Sequence, residues 1–333
     1  NLWESLKTLQ LKSNYFVING FHTSIKVANL FAKNEGEVSF EQKELIEELF
    51  LGDTGHFAIE NSSINFILED GTERKLLLEN IVWQNQNKQH LGSGSLALPG
   101  ISVGSFDARI ALKGDTIEKM AGDMYVQANE VDVSNWLAQY INTEKQQLHS
   151  NINLQAWLEL NQGLVSDVKV QWLPSFARWE LAGEKQQLSL SEGGFHLFPE
   201  QKSWRLKSTG LAFNSNDKSW PSLEFEALLG KQNKIWLQQV DIALLSDLAE
   251  LTNFNNLTPF LQRQPSGQIK QAYLDYTNSE QWQLWFEADN IGWQEQHAIP
   301  AAQELRVSAL VNQQYGRITL FGENNSLITG DSF

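Results

Sequence analysis

Along most of this chain apolar residues recur at every second position, and the alternating runs are bounded by clusters of Gly, Asn, Asp and Ser. A period of two is the geometry of a pleated strand, whose successive side chains point to opposite faces. In Ile152-Asn-Leu-Gln-Ala-Trp-Leu-Glu-Leu160, one face carries Ile152, Leu154, Ala156, Leu158 and Leu160, and the other carries polar residues and Trp157. The same reading selects Leu188 and Leu190, then Leu223, Phe225, Ala227 and Leu229, then Trp282, Leu284 and Phe286, then Val307 and Ala309. Strands with one dry and one wet face suit an antiparallel sheet. The expected fold is mainly β: an elongated, curled antiparallel sheet with a few short amphipathic helices.

Helical spacing is confined to three places. After Val131-Asp-Val133, Ser134 is a suitable N-cap, and Trp136, Leu137, Tyr140 and Ile141 continue an apolar stripe from Val133. Val240-Asp-Ile242 leads into Leu244, Leu245, Leu248 and Leu251, and Val38-Ser-Phe40 leads into Leu45, Ile46, Leu49 and Phe50. A second register agrees: Asn80-Ile-Val-Trp-Gln-Asn-Gln86 returns as Asn290-Ile-Gly-Trp-Gln-Glu-Gln296, with five of seven positions matching. The expected organisation is one continuous segment over 1–333, built of modules 1–37 (partial), 38–130, 131–239 and 240–333. Each module is a strand, a short helix, then several strands. Repeated one-sided sheets bury their dry faces by stacking along one axis.

Charge narrows the partners. Asp and Glu number 40 against 25 Lys and Arg, a net charge of −15, and a field of that sign repels nucleic acid. The absence of cysteine removes disulfides, thiolate metal sites and cysteine nucleophiles. No window approaches the run of about 18 apolar residues that a membrane helix requires. The chain begins at Asn1 with no signal-peptide pattern, which fits a processed chain or a segment of a larger one.

No enzyme signature emerges. There is no Gly-x-Ser-x-Gly elbow, phosphate-binding loop, dinucleotide glycine run or His-Glu-x-x-His. Gly92-Ser-Gly-Ser95 reads as a flexible turn, and the six histidines read as surface or strand-edge residues without metal-ligand spacing. Glu224 and Glu226 fall on the solvent side of a strand, and Asn214-Ser-Asn-Asp-Lys218 reads as a polar hairpin turn. Trp157 and Trp285 fall opposite the apolar face, where they either stack on sugar rings or pack beneath neighbouring elements.

Several segments in a consistent order resemble the YhdP branch of the AsmA-like proteins. They are Trp83 to His90 followed by Gly92-Ser-Gly-Ser-Leu96, Gly122-Asp-Met-Tyr-Val-Gln-Ala128, Val131-Asp-Val-Ser-Asn-Trp-Leu137 and Ala156-Trp-Leu158. Phe195 to Trp204, the Pro265-Ser-Gly267 turn and Gly330-Asp-Ser-Phe333 complete a likeness that runs over about the whole chain. The resemblance implies a periplasmic segment of a Gram-negative envelope protein, anchored in the inner membrane through an N-terminal helix that this sequence lacks. Together with TamB and YdbH, such proteins are similar to bridge-like lipid transfer proteins, in which a long curled sheet encloses a groove for phospholipid acyl chains. On that reading the alternating apolar residues line the groove, the stripes Trp136–Ile141 and Leu244–Leu248 lie at its rim, and further groove modules of the same chain continue it. No cofactor, metal or catalytic residue is implied.

About 15 strands at a spacing of roughly 4.8 Å would make a sheet on the order of 70 Å long. Three classes stay open on the sequence. They are a lipid conduit, a carbohydrate-binding β-sandwich or glycosidase with the apolar residues facing an opposing sheet, and a structural spacer.

Overall fold

The structure, a computed structural model, describes residues 15–26, 47–52, 55–67, 71, 73–99, 101, 103–134, 148–181, 184–216, 218–243, 264–295, 300–321 and 326–328. Alternation prevails almost everywhere, and these residues form 21 strands and two short helical turns. In chain order the strands are β1 (Phe16–Asn19), β2 (His22–Lys26), β3 (His56–Ile67), β4 (Glu73–Gln86), β5 (Gln89–Ala97), β6 (Ser105–Lys113), β7 (Ala121–Val131), β8 (His149–Asn161), β9 (Leu164–Trp172) and β10 (Ser175–Leu181). They continue with β11 (Glu184–Glu200), β12 (Ser203–Ser208), β13 (Ala212–Ser215), β14 (Lys218–Ser219), β15 (Glu224–Leu229), β16 (Asn233–Asp241), β17 (Ser266–Asn278), β18 (Gln281–Trp293), β19 (Ala301–Asn312), β20 (Gly316–Phe321) and β21 (Ser326–Ile328). The count exceeds the expected 15 because several strands are short pieces that share a neighbour. The chain divides into two units, Asn1–Asn129 with Ala156–Asp167, and Glu130–Gln155 with Val168–Phe333.

In the first unit β3 to β7 form an antiparallel run. The sheet is nonetheless mixed, since β1 and β2 both lie parallel along β3. That edge breaks in two at Asn61 of β3, which sits in left-handed backbone at φ 47° while the pairing of β3 with β4 continues past it in the same register. Phe21 spans the break: its N–H donates to Ser62 Oγ at 2.9 Å, and its carbonyl accepts from Ser63 N–H at 2.8 Å.

In the second unit an antiparallel run passes from β9 through β11, β12, β15, β16, β17, β18 and β19 to β20. Strand β11 serves two sheets. Its first half pairs with β10 and β13, and its second half pairs with β9 and β12. The transfer occurs at Gly193-Gly194, where a Cβ would come within 2.7 Å of the Gly210 carbonyl oxygen and 2.3 Å of that of Val170. Only glycine admits such an approach.

Left-handed residues recur inside strands. Gln239, Asn290 and Glu304 adopt φ of 46°, 57° and 56° and drop out of the pairing. Asn290 and Glu304 each shift the pairing of β18 with β19 by one residue, while β16 and β17 keep one register past Gln239. Two of the sequence-predicted helix starts prove equivalent at this level. Glu130 and Gln239 are left-handed, Val131 and Val240 follow and are buried, and Asp132 and Asp241 then cap the next turn. Asp132 Oδ1 accepts the Ser134 N–H at 2.9 Å, and Asp241 Oδ1 accepts that of Ala243 at 2.8 Å. Asp132 is therefore the capping residue and Ser134 the start of the turn, a correction that follows from the carboxylate oxygen that accepts the Ser134 N–H. Trp136, Leu137, Tyr140, Ile141, Leu244, Leu245 and Leu248 lie outside the described residues, as do 38–46 of the remaining stripe.

Candidate functional site

Direct cross-strand partners in an antiparallel sheet point to the same face. In the second unit the register therefore writes out a continuous apolar row. It runs Val168, Leu197, Leu206, Ala227, Ile235, Leu274, Leu284, Val311, one residue from each of eight adjacent strands. Beside it run Phe225, Leu237, Ala272, Phe286, Ala309 and Ile318. A third row is Val240, Ile269, Ala288, Val307 and Leu320. At strand spacing of about 4.8 Å the first row covers roughly 34 Å.

Exposure describes the face further. Its small residues, Ala227, Ala288 and Ala309, are buried between larger neighbours. Ile235, Leu237, Leu274, Leu284 and Phe286 are only half-buried. Ile318, on the edge strand, is 68% exposed. The core of a closed sandwich buries its large side chains on both inner faces. This face is apolar and open.

The sequence-selected residues fall as follows. Phe225, Ala227, Trp282, Leu284, Phe286, Val307 and Ala309 belong to the rows or extend them, with Leu229 paired to Trp204 and Leu223 bridged to Leu211. Leu188 and Leu190 lie on the half of β11 that joins the smaller sheet. Ile152 and Leu154 are half-buried on β8 in the second unit. Ala156 and Leu158 are half-buried and Leu160 is buried in the first. Ile235, Leu237, Ala272 and Leu274 escaped the sequence reading because Trp236 and Tyr273 put large aromatics on the opposite face and blur the alternation.

The first unit has its own apolar face, also missed. Phe57, Trp83, Gly92, Ile110 and Met124 form one row, and Ile59, Ile81, Gly94, Ala108 and Val126 the next. The helical turn Glu47–Leu51 packs onto it. Leu49 and Leu51 are buried, and the Phe50 ring meets Trp83 edge-on at 5.1 Å. Polar bonds fix the turn: the Trp83 indole N–H donates to Phe50 O and Asn85 Oδ1, Asn85 Nδ2 donates to Leu49 O, and the Ile117 N–H donates to Glu47 Oε1.

Two sequence expectations are corrected here. Gly92-Ser-Gly-Ser95 is the middle of β5, its glycines making room for Trp83 and for the β4 backbone rather than for a turn. His90, expected at the surface, is 1% exposed, its ring nitrogens 2.7 Å from Asn85 Oδ1 and 2.7 Å from the Gly114 carbonyl oxygen. Of the acidic pair, Glu224 is exposed and Glu226 is ion-paired with Arg205 and Lys207. Among the described residues, no group of three His, Asp or Glu could hold a metal ion, and no helix is long and apolar enough to cross a membrane.

The fold thus defines a class: a strand-rich chain whose sheet presents an open apolar face backed by a polar one. Its family follows from sequence comparison, because the YhdP protein family matches residues 1–333 and the chain belongs to it. It is similar to the intermembrane phospholipid transporter YhdP of Escherichia coli (strain K12), with 22% identity over 346 residues covering 96% of this chain and 26% of that protein. The chain spans about a quarter of the length of that relative. No solved structure matches.

Proposed function

We propose that this chain is a segment of a phospholipid-carrying bridge, in which acyl chains lie on the apolar face while head groups stay in water. The observation that carries the reading is the eight-residue row from Val168 to Val311, unbroken by a polar side chain and only half-buried at every position except Ala227. Family membership and the similarity to an intermembrane phospholipid transporter of E. coli support it. Each methylene moved from water onto such a face gains about 0.8 kcal/mol, so one acyl chain gains enough to be held, and an aliphatic wall without fixed donors lets it slide. The left-handed bulges supply the bending that would curl the sheet around its cargo. On this reading further modules of the same full-length chain extend the groove. The whole protein then stands in the periplasm on an inner-membrane anchor. The chain holds lipid and converts nothing.

Extraction of the purified chain followed by mass spectrometry tests this reading. Co-purified diacyl phospholipid is expected, at a ratio that falls when Phe286 is replaced by Lys. A lipid-free chain that also takes up none from vesicles would reject the reading.

A further inference from the structure

The solvent face of the second unit carries a feature that lipid carriage leaves unused. Trp236, Tyr273 and Trp285 are direct cross-strand partners on β16, β17 and β18, on the side opposite Leu274 and Leu284. Trp236 is 37% exposed, and its ring centroid lies 5.4 Å from that of Tyr273 at 43°. A polar row flanks these rings on each side. Lys234, Asp275 and Gln283 pair along one, and Gln238, Gln271 and Glu287 along the other. Asp275 accepts from the Tyr273 hydroxyl at 3.2 Å and from Gln232 Nε2 at 2.6 Å, which fixes the tyrosine ring in place.

The first unit repeats the device. On its polar face Tyr125 lies 5.5 Å from Trp157, which is 40% exposed, and the Tyr125 hydroxyl donates to Gln127 two residues along at 3.1 Å. In both units a tryptophan stands beside a tyrosine whose hydroxyl is tied to a polar side chain two positions on. Cross-strand aromatic pairing stabilises a sheet, yet it requires neither the exposure nor the tether.

We propose that these aromatic platforms dock a glycan strand, with the apolar faces of consecutive pyranose rings on Trp236, Tyr273 and Trp285 and the hydroxyls on the flanking amides and carboxylates. The platform of three rings is roughly 10 Å long at strand spacing, the scale of a disaccharide. Rigid amphipathic rings supply contact area at low entropic cost. The net charge of −15 disfavours a polyanion and leaves a neutral polyol as the fitting partner. The site lies opposite the lipid-facing surface and stands whether or not that surface carries lipid.

Titration of the purified chain with a β-1,4-linked N-acetylglucosamine hexamer, followed through the indole N–H signals, tests the proposal. Saturable shifts at Trp236 and Trp285 are expected, with Trp204 and Trp282 on the apolar face unmoved. Trp236→Ala and Trp285→Ala should each weaken binding by about three- to tenfold in a chain that still melts cooperatively, and Trp236→Phe should retain most of it. The wild-type signals decide the matter even where an alanine variant fails to fold. No saturable shift, shifts confined to Trp204 and Trp282, or the same two indoles answering to phosphatidylglycerol vesicles and not to the sugar would each overturn it.

Discussion

Gly92 lies directly against the indole of Trp83: a Cβ built at Gly92 would fall 2.5 Å from two carbons of that ring. The two residues are cross-strand partners on β4 and β5, and the missing side chain lets the indole lie flat along the neighbouring strand. Gly92→Ala must therefore displace a buried ring that also touches Phe50 and donates its N–H to Asn85. A loss of about 1–3 kcal/mol is expected, read as a lower melting temperature together with a shifted tryptophan emission. An unchanged melting temperature would show that the ring has room to give.

Such a glycine also marks where the sequence stopped being legible. Strand content and one-sidedness follow from side-chain period, and the recurrence of Val-Asp before two of the three helix starts could be read directly. The left-handed residues could not. Asn290 and Glu304 look like ordinary polar strand positions, yet each adds a residue and shifts the alternation, so Ile291 and Leu305 come to face each other across β18 and β19. Parallel pairing of β1 and β2 with β3 depends on a long connection that no local pattern reports. The first unit's apolar face was hidden by Gly92 and Gly94, which occupy inner positions without an apolar side chain to betray them.

Asp132 should give the capping turn of the second unit a pH dependence. Burial pushes its carboxyl up, but hydrogen bonds from Ser134 and Ser150 outweigh that and hold it at about 2, below its ordinary 3.8. A carboxyl depressed on folding stabilises the fold fully above its unfolded value and loses that contribution as pH falls through its folded value. The difference in melting temperature between wild type and Asp132→Ala should be constant above about pH 5 and shrink steadily toward pH 2. A difference that persists undiminished at pH 2 would contradict this.

Asn85 joins the helical turn to the sheet through three groups at once, accepting from the Trp83 indole at 2.8 Å, donating to Leu49 O at 3.3 Å and lying 2.7 Å from His90 Nδ1. Asn85→Leu keeps the branched shape and leaves buried polar partners unsatisfied, which costs about 1–3 kcal/mol. Gln84→Leu, one residue away on the exposed face, should cost little. Chemical denaturation of both variants gives the comparison, and equal losses would mean that the network holds nothing.

The sharpest separation between an open carrying face and a closed core comes from a charge placed mid-row. Phe286 is half-buried, with Ala272 and Ala309 as its cross-strand neighbours. In Phe286→Lys the ammonium can reach water at an open face, so the sheet should lose no more than roughly 1–2 kcal/mol, well short of unfolding. A lipid lying on the face would instead meet an ammonium that either stays desolvated or draws in water, a penalty of several kcal/mol at one point on its path. The expected outcome is a folded chain with sharply reduced lipid content. Gln283→Lys, an equal charge on the polar side of the same strand, should keep both fold and lipid. Melting temperature and lipid-to-protein ratio measured on the two variants decide between the readings. Unfolding of Phe286→Lys would indicate a closed core, and a folded variant that still carries its full complement of lipid would remove this face from the lipid path.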